Sequence, residues 1–119
     1  MVNYIDFEWI ETLSAQDKEQ GTTLATKIIK LQEETGELAA AYLASIGSNN
    51  VSASAMTLNP QESVLEEAID CMLVVADIIN NITEDPALAG ICETMAERKL
   101  SKWQNKIKAI EKLNSQKGV

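Results

Sequence analysis

Four carboxylates fall in two short pairs, Glu34 with Glu37 and Glu67 with Asp70. Each pair has i, i+3 spacing inside a segment that otherwise reads as a strongly apolar helix. Residues three apart on a helix share a face, so each pair can aim two oxygens at one point. Acidic side chains are rarely buried unless something compensates their charge. Two facing pairs of oxygen donors with no histidine nearby suit a hard cation, Mg²⁺ or Mn²⁺.

Projected at 100° per residue, Lys27, Lys30, Glu34, Glu37 and Ala41 fall on a stripe about 80° wide. On the later segment Glu67, Asp70 and Asp77 make a matching stripe, with Asn80 and Asn81 a turn further on. Glu33 and Glu66 flank the two pairs. Four like charges in one semi-buried cluster repel, and a divalent cation relieves that repulsion. The plainer alternative is a set of solvent-facing helix acids paired with lysines. It suits Glu33, Glu62 and Glu66 better than the two pairs themselves. Asp77 lies two turns beyond Asp70 on the same face, where an ordinary core would not place an acid. Gly36, inside the helix, costs about 1 kcal/mol against Ala. Its use is either close helix contact or room for a ligand.

The chain has no histidine, and that excludes much. Di-iron bundles need Glu-x-x-His. Two cysteines 21 residues apart, Cys71 and Cys92, do not make a zinc site. There is no Ser-His or Cys-His pair and no Gly-rich phosphate loop. What remains is metal-assisted chemistry on a substrate that brings its own negative charge, such as a phosphoanhydride.

Four helices are expected to position these residues, in an all-α chain of 119 residues read as one domain. The first runs from Tyr4 to Gln20, with Asn3 as cap, Gly21 as stop and Ile5, Trp9 and Leu13 facing the core. The second runs from Thr23 to Ser45 after Thr22 as cap, with Leu24, Ile28, Leu31, Thr35, Leu38 and Tyr42 as its stripe and Gly47 ending it. The third opens with Asn59 as cap, Pro60 at the first turn and Glu62 completing a capping box, and reaches Ile82. The fourth opens on Asp85 and Pro86, with Leu88, Ile91, Met95, Leu100, Trp103, Ile107 and Ile110 as its core side. The linker from Ile46 to Leu58, rich in Ser, Asn and Ala, is expected to be a mobile loop or a short irregular hairpin. Short connections favour a four-helix bundle. The third helix is too apolar for a solvated back, which predicts a dimer or tetramer.

Net charge is −8, unevenly spread. Residues 1–97 carry 17 acidic and 3 basic residues, whereas residues 98–119 carry one acid and seven bases. The acidic body argues against a nucleic-acid partner. The basic end suits the dipole of a last helix and an acidic body. No apolar run of about 18 residues predicts a membrane span, and Met1–Asp6 carries no signal-peptide pattern. A cytoplasmic protein with reduced thiols is expected.

Lys30-Leu31-Gln32-Glu33-Glu34-Thr35-Gly36-Glu37-Leu38, followed by Glu66-Glu67-Ala68-Ile69-Asp70, resembles the MazG-like family of all-α nucleoside triphosphate pyrophosphohydrolases. That superfamily also holds dimeric dUTPases and phosphoribosyl-ATP pyrophosphohydrolases. Its signature is Glu-Glu-x-x-Glu, a spacer, then Glu-x-x-Asp, and the likeness covers roughly residues 23–110. The resemblance implies hydrolysis of a (deoxy)nucleoside triphosphate to monophosphate and pyrophosphate with Mg²⁺, in nucleotide-pool house-cleaning. It implies Glu34, Glu37, Glu67 and Asp70 as metal ligands and Glu33 as a residue that supports those ligands or helps orient the attacking water. A carboxylate-held metal supplies an oriented, acidified water and neutralises phosphate charge. Lys30, Arg98, Lys99 and Lys102 would meet the phosphates, with Asp77 a further substrate-binding candidate. Twenty-nine residues separate Glu37 from Glu67, at or beyond the long end of the family's spacer. A specialised dUTP, dCTP or phosphoribosyl-ATP hydrolase, and a non-catalytic nucleotide- or metal-binding oligomerisation module, are the alternatives.

Overall fold

Helix starts are set by side chains that take up the first free backbone amides. In the computed structural model, which describes residues 5–47 and 59–117, four such starts give four α-helices and no strand among the described residues. These are α1 (Phe7–Glu19), α2 (Leu24–Ser45), α3 (Pro60–Thr83) and α4 (Pro86–Gln116).

Two of the expected caps hold. Asn59 Oδ1 accepts from the Glu62 amide at 2.9 Å. Asp85 Oδ1 accepts from the Ala87 amide at 3.0 Å, with Pro86 beginning the helix where a missing N–H costs nothing. Two are corrected. α1 begins at Phe7 rather than Tyr4, because Asp6 accepts from the Trp9 amide at 3.0 Å and its negative charge suits a helix start. Asn3 and Tyr4 lie outside the described residues. α2 is capped by Thr23, which accepts from the Thr26 amide at 3.2 Å, not by Thr22. The Thr22 hydroxyl instead reaches back to α1, near the Asp17 carbonyl oxygen (2.8 Å) and carboxylate (2.9 Å). Gly21 and Gly47 end α1 and α2 with φ of +91° and +71°, a conformation that a Cβ disfavours. Ser48 to Leu58, the bulk of the expected mobile linker, lie outside the described residues.

The chain divides into two compact units, one ending at Asn81 and one beginning at Ile82. The first holds α1, α2 and nearly all of α3. The second holds α4.

The inward faces differ from those the apolar pattern predicts. In α1 the buried residues are Ile10 and Ser14, while Trp9 and Leu13 are exposed. In α2 the buried residues are Lys27 and Glu34; of its expected stripe Leu31 and Leu38 are half-buried, while Leu24, Ile28 and Tyr42 are exposed. α3 half-buries Glu67, Asp70, Val74, Asp77, Ile78 and Asn81, and leaves Leu65, Ile69, Leu73 and Ile79 open. The apolar row of α4, including Leu100, Trp103, Ile107 and Ile110, is exposed as well. Neither tryptophan is a core residue of this chain. At one end the polar stripes turn inward as the Lys27–Asp77 ion pair, and a paired charge tolerates burial, whereas Glu34, Glu67 and Asp70 at the other end are like-charged.

No described helix is long and apolar enough to cross a membrane.

Candidate functional site

Seven residues return a helical side chain to within about 20° of its starting direction. Lys27 and Glu34 are seven apart on α2, and Asp70 and Asp77 are seven apart on α3. Lys27 pairs with Asp77, and Glu34 meets Asp70. The later residue of one helix therefore faces the earlier residue of the other, so α2 and α3 run antiparallel. Two polar layers result, separated by about 10 Å along the helices.

The first layer is an ion-pair network. The Lys27 ammonium, almost fully buried, lies 2.8 Å from Asp17 Oδ2 on α1 and 2.5 Å from Asp77 Oδ2 on α3. Ser14 donates to Asp77 Oδ1 at 2.5 Å. The Asn81 amide reaches the Asp77 carbonyl oxygen at 3.1 Å and Oδ1 at 3.4 Å. Burial by itself would lower the Lys27 pKa, but the two carboxylates outweigh it and the ammonium is held above its ordinary value. The hydrogen bond from Lys27, then that from Thr22, lowers the Asp17 pKa. Asp77 also lines an open groove of about 600 Å³ between α1 and α3, with Ile10, Leu13 and Leu73. Both Asp77 oxygens are nevertheless engaged inside the fold, which gives this residue a structural account that the sequence could not.

The second layer is acidic. Glu34, Glu67 and Asp70 each offer one oxygen, and these oxygens lie within 4.8 Å of one another. Glu37 is exposed on the next turn of α2, and its negative charge acts on Glu67. Desolvation, followed by the charges of Glu37 and Asp70, raises the Glu67 pKa. Lys30 lies 3.0 Å from Glu34 Oε1 and 3.5 Å from Glu33 Oε2. Hydrogen bonding to Glu34 raises its pKa.

The remaining oxygens are the informative ones. Glu34 Oε2 and Glu67 Oε2 are buried with no hydrogen-bond partner, and Glu34 as a residue is only 6% exposed. Buried polar atoms are nearly always satisfied, so an orphaned pair pointing at one acidic cluster requires a reason. Three to four carboxylate oxygens within a few ångströms form a donor set that suits a hard divalent cation. The residues present therefore fit such an ion.

Glu33 is exposed beside the cluster. Arg98, Lys99 and Lys102 sit exposed on α4, in the second unit. Cys71, half-buried next to Asp70, is a neighbour of the cluster that the carboxylate spacing does not point to. Burial first, then Glu34, Glu67 and Asp70, raises its pKa and favours the protonated thiol. A cysteine next to an acidic ligand position was the available signal. Cys71 and Cys92 are both free. Gly36 makes no close helix contact: a Cβ there would meet nothing within 4 Å.

No protein-family profile, curated protein or solved structure matches this chain. What the chain does is therefore argued from its own residues.

Proposed function

We propose that this chain is a Mg²⁺-dependent nucleoside triphosphate pyrophosphohydrolase of the MazG-like kind, cleaving a (deoxy)nucleoside triphosphate to monophosphate and pyrophosphate. The observation that carries the reading is the pair of buried, unpartnered oxygens, Glu34 Oε2 and Glu67 Oε2, beside Asp70. The Glu-Glu-x-x-Glu and Glu-x-x-Asp spacings that supply them support the same assignment.

In this reading Glu34, Glu37, Glu67 and Asp70 hold Mg²⁺, with Mn²⁺ as a substitute. When bound, the ion acidifies water and neutralises charge on phosphate oxygens. Glu33, exposed beside the cluster, supports its ligands or helps orient the attacking water. A triphosphate would need cationic donors beside such a cluster of carboxylates, a role the resemblance gives to Arg98, Lys99 and Lys102 by sequence position alone. Lys27 and Asp77 hold α1, α2 and α3 in the register that sets Glu34 against Asp70.

The active species in this proposal is a cytoplasmic homodimer or homotetramer. The exposed apolar row of α3 and, separately, that of α4 support it, because exposed apolar surface can mark an interaction site.

The test is a panel of canonical and modified (d)NTPs incubated with purified protein and Mg²⁺, with products separated by ion-pair chromatography and Glu37→Gln as control. Monophosphate plus pyrophosphate, absent in the control, is the expected result. No product from any nucleotide would turn attention to phosphoribosyl-ATP or to binding without turnover.

A further inference from the structure

Lys30 occupies one oxygen of the most buried carboxylate in the acidic layer. Its ammonium lies 3.0 Å from Glu34 Oε1, four residues along α2 and on the same helix face. The other oxygen, Oε2, is buried and has no partner. Glu34 is 6% exposed, so its carboxylate has no solvent into which to turn. A second contact, 3.5 Å to Glu33 Oε2, draws the Lys30 head toward the outer edge of the cluster. The carboxylate therefore has one end tied and one end open.

That asymmetry bears on which ion can be held. Mg²⁺ takes single oxygens in a tight octahedron at about 2.1 Å, whereas Ca²⁺ takes six to eight oxygens at about 2.3–2.6 Å and readily accepts both oxygens of one carboxylate. A glutamate whose Oε1 already accepts from an ammonium offers Oε2 preferentially, because an ion bridging both oxygens would sit against the Lys30 charge. We propose that Lys30 is a positioning residue that makes Glu34 a one-oxygen ligand and so biases the acidic centre toward Mg²⁺ over Ca²⁺. This rests on the reading of the centre as a divalent-cation site. It assigns Lys30 to the carboxylate rather than to a substrate phosphate.

The experiment is calorimetric titration of the full chain, freed of metal, with MgCl₂ and separately with CaCl₂, in the absence of nucleotide. Wild type, Lys30→Met and Lys30→Arg are compared after circular dichroism shows equal helicity. Lys30→Met is expected to weaken Mg²⁺ binding about tenfold, the usual scale for losing a residue that orients a metal ligand. Ca²⁺ binding should stay level or tighten. Lys30→Arg, which keeps a cationic donor, should retain most of the Mg²⁺ preference. An unchanged Mg²⁺/Ca²⁺ ratio in Lys30→Met overturns the proposal. So does tighter Mg²⁺ binding, which would make the ammonium a competitor for the site. Failure of the wild type to bind either ion overturns the cation reading itself, and the Lys30 proposal with it.

Discussion

The Lys27 ammonium on α2 reaches Asp77 on α3 at 2.5 Å while contacting Asp17 on α1 at 2.8 Å, so one buried cation joins three helices. Removing one member of a buried ion network leaves the others uncompensated, which costs roughly 3–5 kcal/mol. Asp17 is half-exposed and water can take over part of its charge. Lys27→Met is therefore expected to lose about 3 kcal/mol, at the low end of that range. Urea unfolding followed by circular dichroism measures it. A loss near zero would mean that the network does not hold the helices together.

The acidic layer predicts an unusual pH response. The Glu67 pKa is raised in the folded chain, so the folded state binds its proton more tightly than the unfolded state. Stability from this group is fully present below the ordinary glutamate range and is lost as pH rises through the raised value. Glu67→Gln removes the titration. Without metal it should melt above wild type at pH 7, and the two melting temperatures should converge as pH falls toward 4. Thermal scans across that range in chelator decide the matter. A constant gap would mean that Glu67 does not titrate abnormally.

Saturating Mg²⁺ should reverse the ranking of those two proteins at pH 7. An ion that binds the folded state alone stabilises it by mass action, and Glu67→Gln offers it a weaker site. Differential scanning fluorimetry with and without MgCl₂ reads this directly. Equal Mg²⁺-induced shifts in both proteins would remove Glu67 from the ligand set.

Glu37→Gln and Asp70→Asn are expected to abolish nucleotide hydrolysis while leaving helical content unchanged. Each keeps its shape but loses a charge from a cluster in which like charges repel. Turnover by ion-pair chromatography and far-ultraviolet circular dichroism are the paired measurements. Full activity in either variant would dismiss the proposed centre.

Gly36 lies in the middle of α2, where an added Cβ meets nothing within 4 Å. Gly36→Ala should therefore gain about 0.5–1 kcal/mol from helix propensity. The melting temperature tests the gain. A stabilised protein that no longer turns over nucleotide would show that the space beside Gly36 belongs to the substrate.

Local sequence by itself decided the helices and two of their caps. Pro60 and Pro86 cannot continue a helix from behind, and Asn59 and Asp85 sit where a cap is needed, so α3 and α4 start as read. Gly21 and Gly47 stop α1 and α2 because only a residue without Cβ readily takes their positive φ. The carboxylate spacings were legible for the same reason: i, i+3 geometry is a property of one helix. The local pattern points to Thr22 as the α2 cap, but Thr22 is drawn away by Asp17 on another helix and Thr23 takes its place. The inward faces were misjudged because an apolar stripe says what must leave water, not which surface will cover it. Only packing showed that Lys27 neutralises Asp17 and Asp77, which lets a charged stripe turn inward while Trp9, Ile69 and Trp103 stay exposed. The convergence of Glu34, Glu67 and Asp70 depends on the antiparallel register of α2 on α3. That register comes from contacts about 50 residues apart in the chain, which no local pattern encodes.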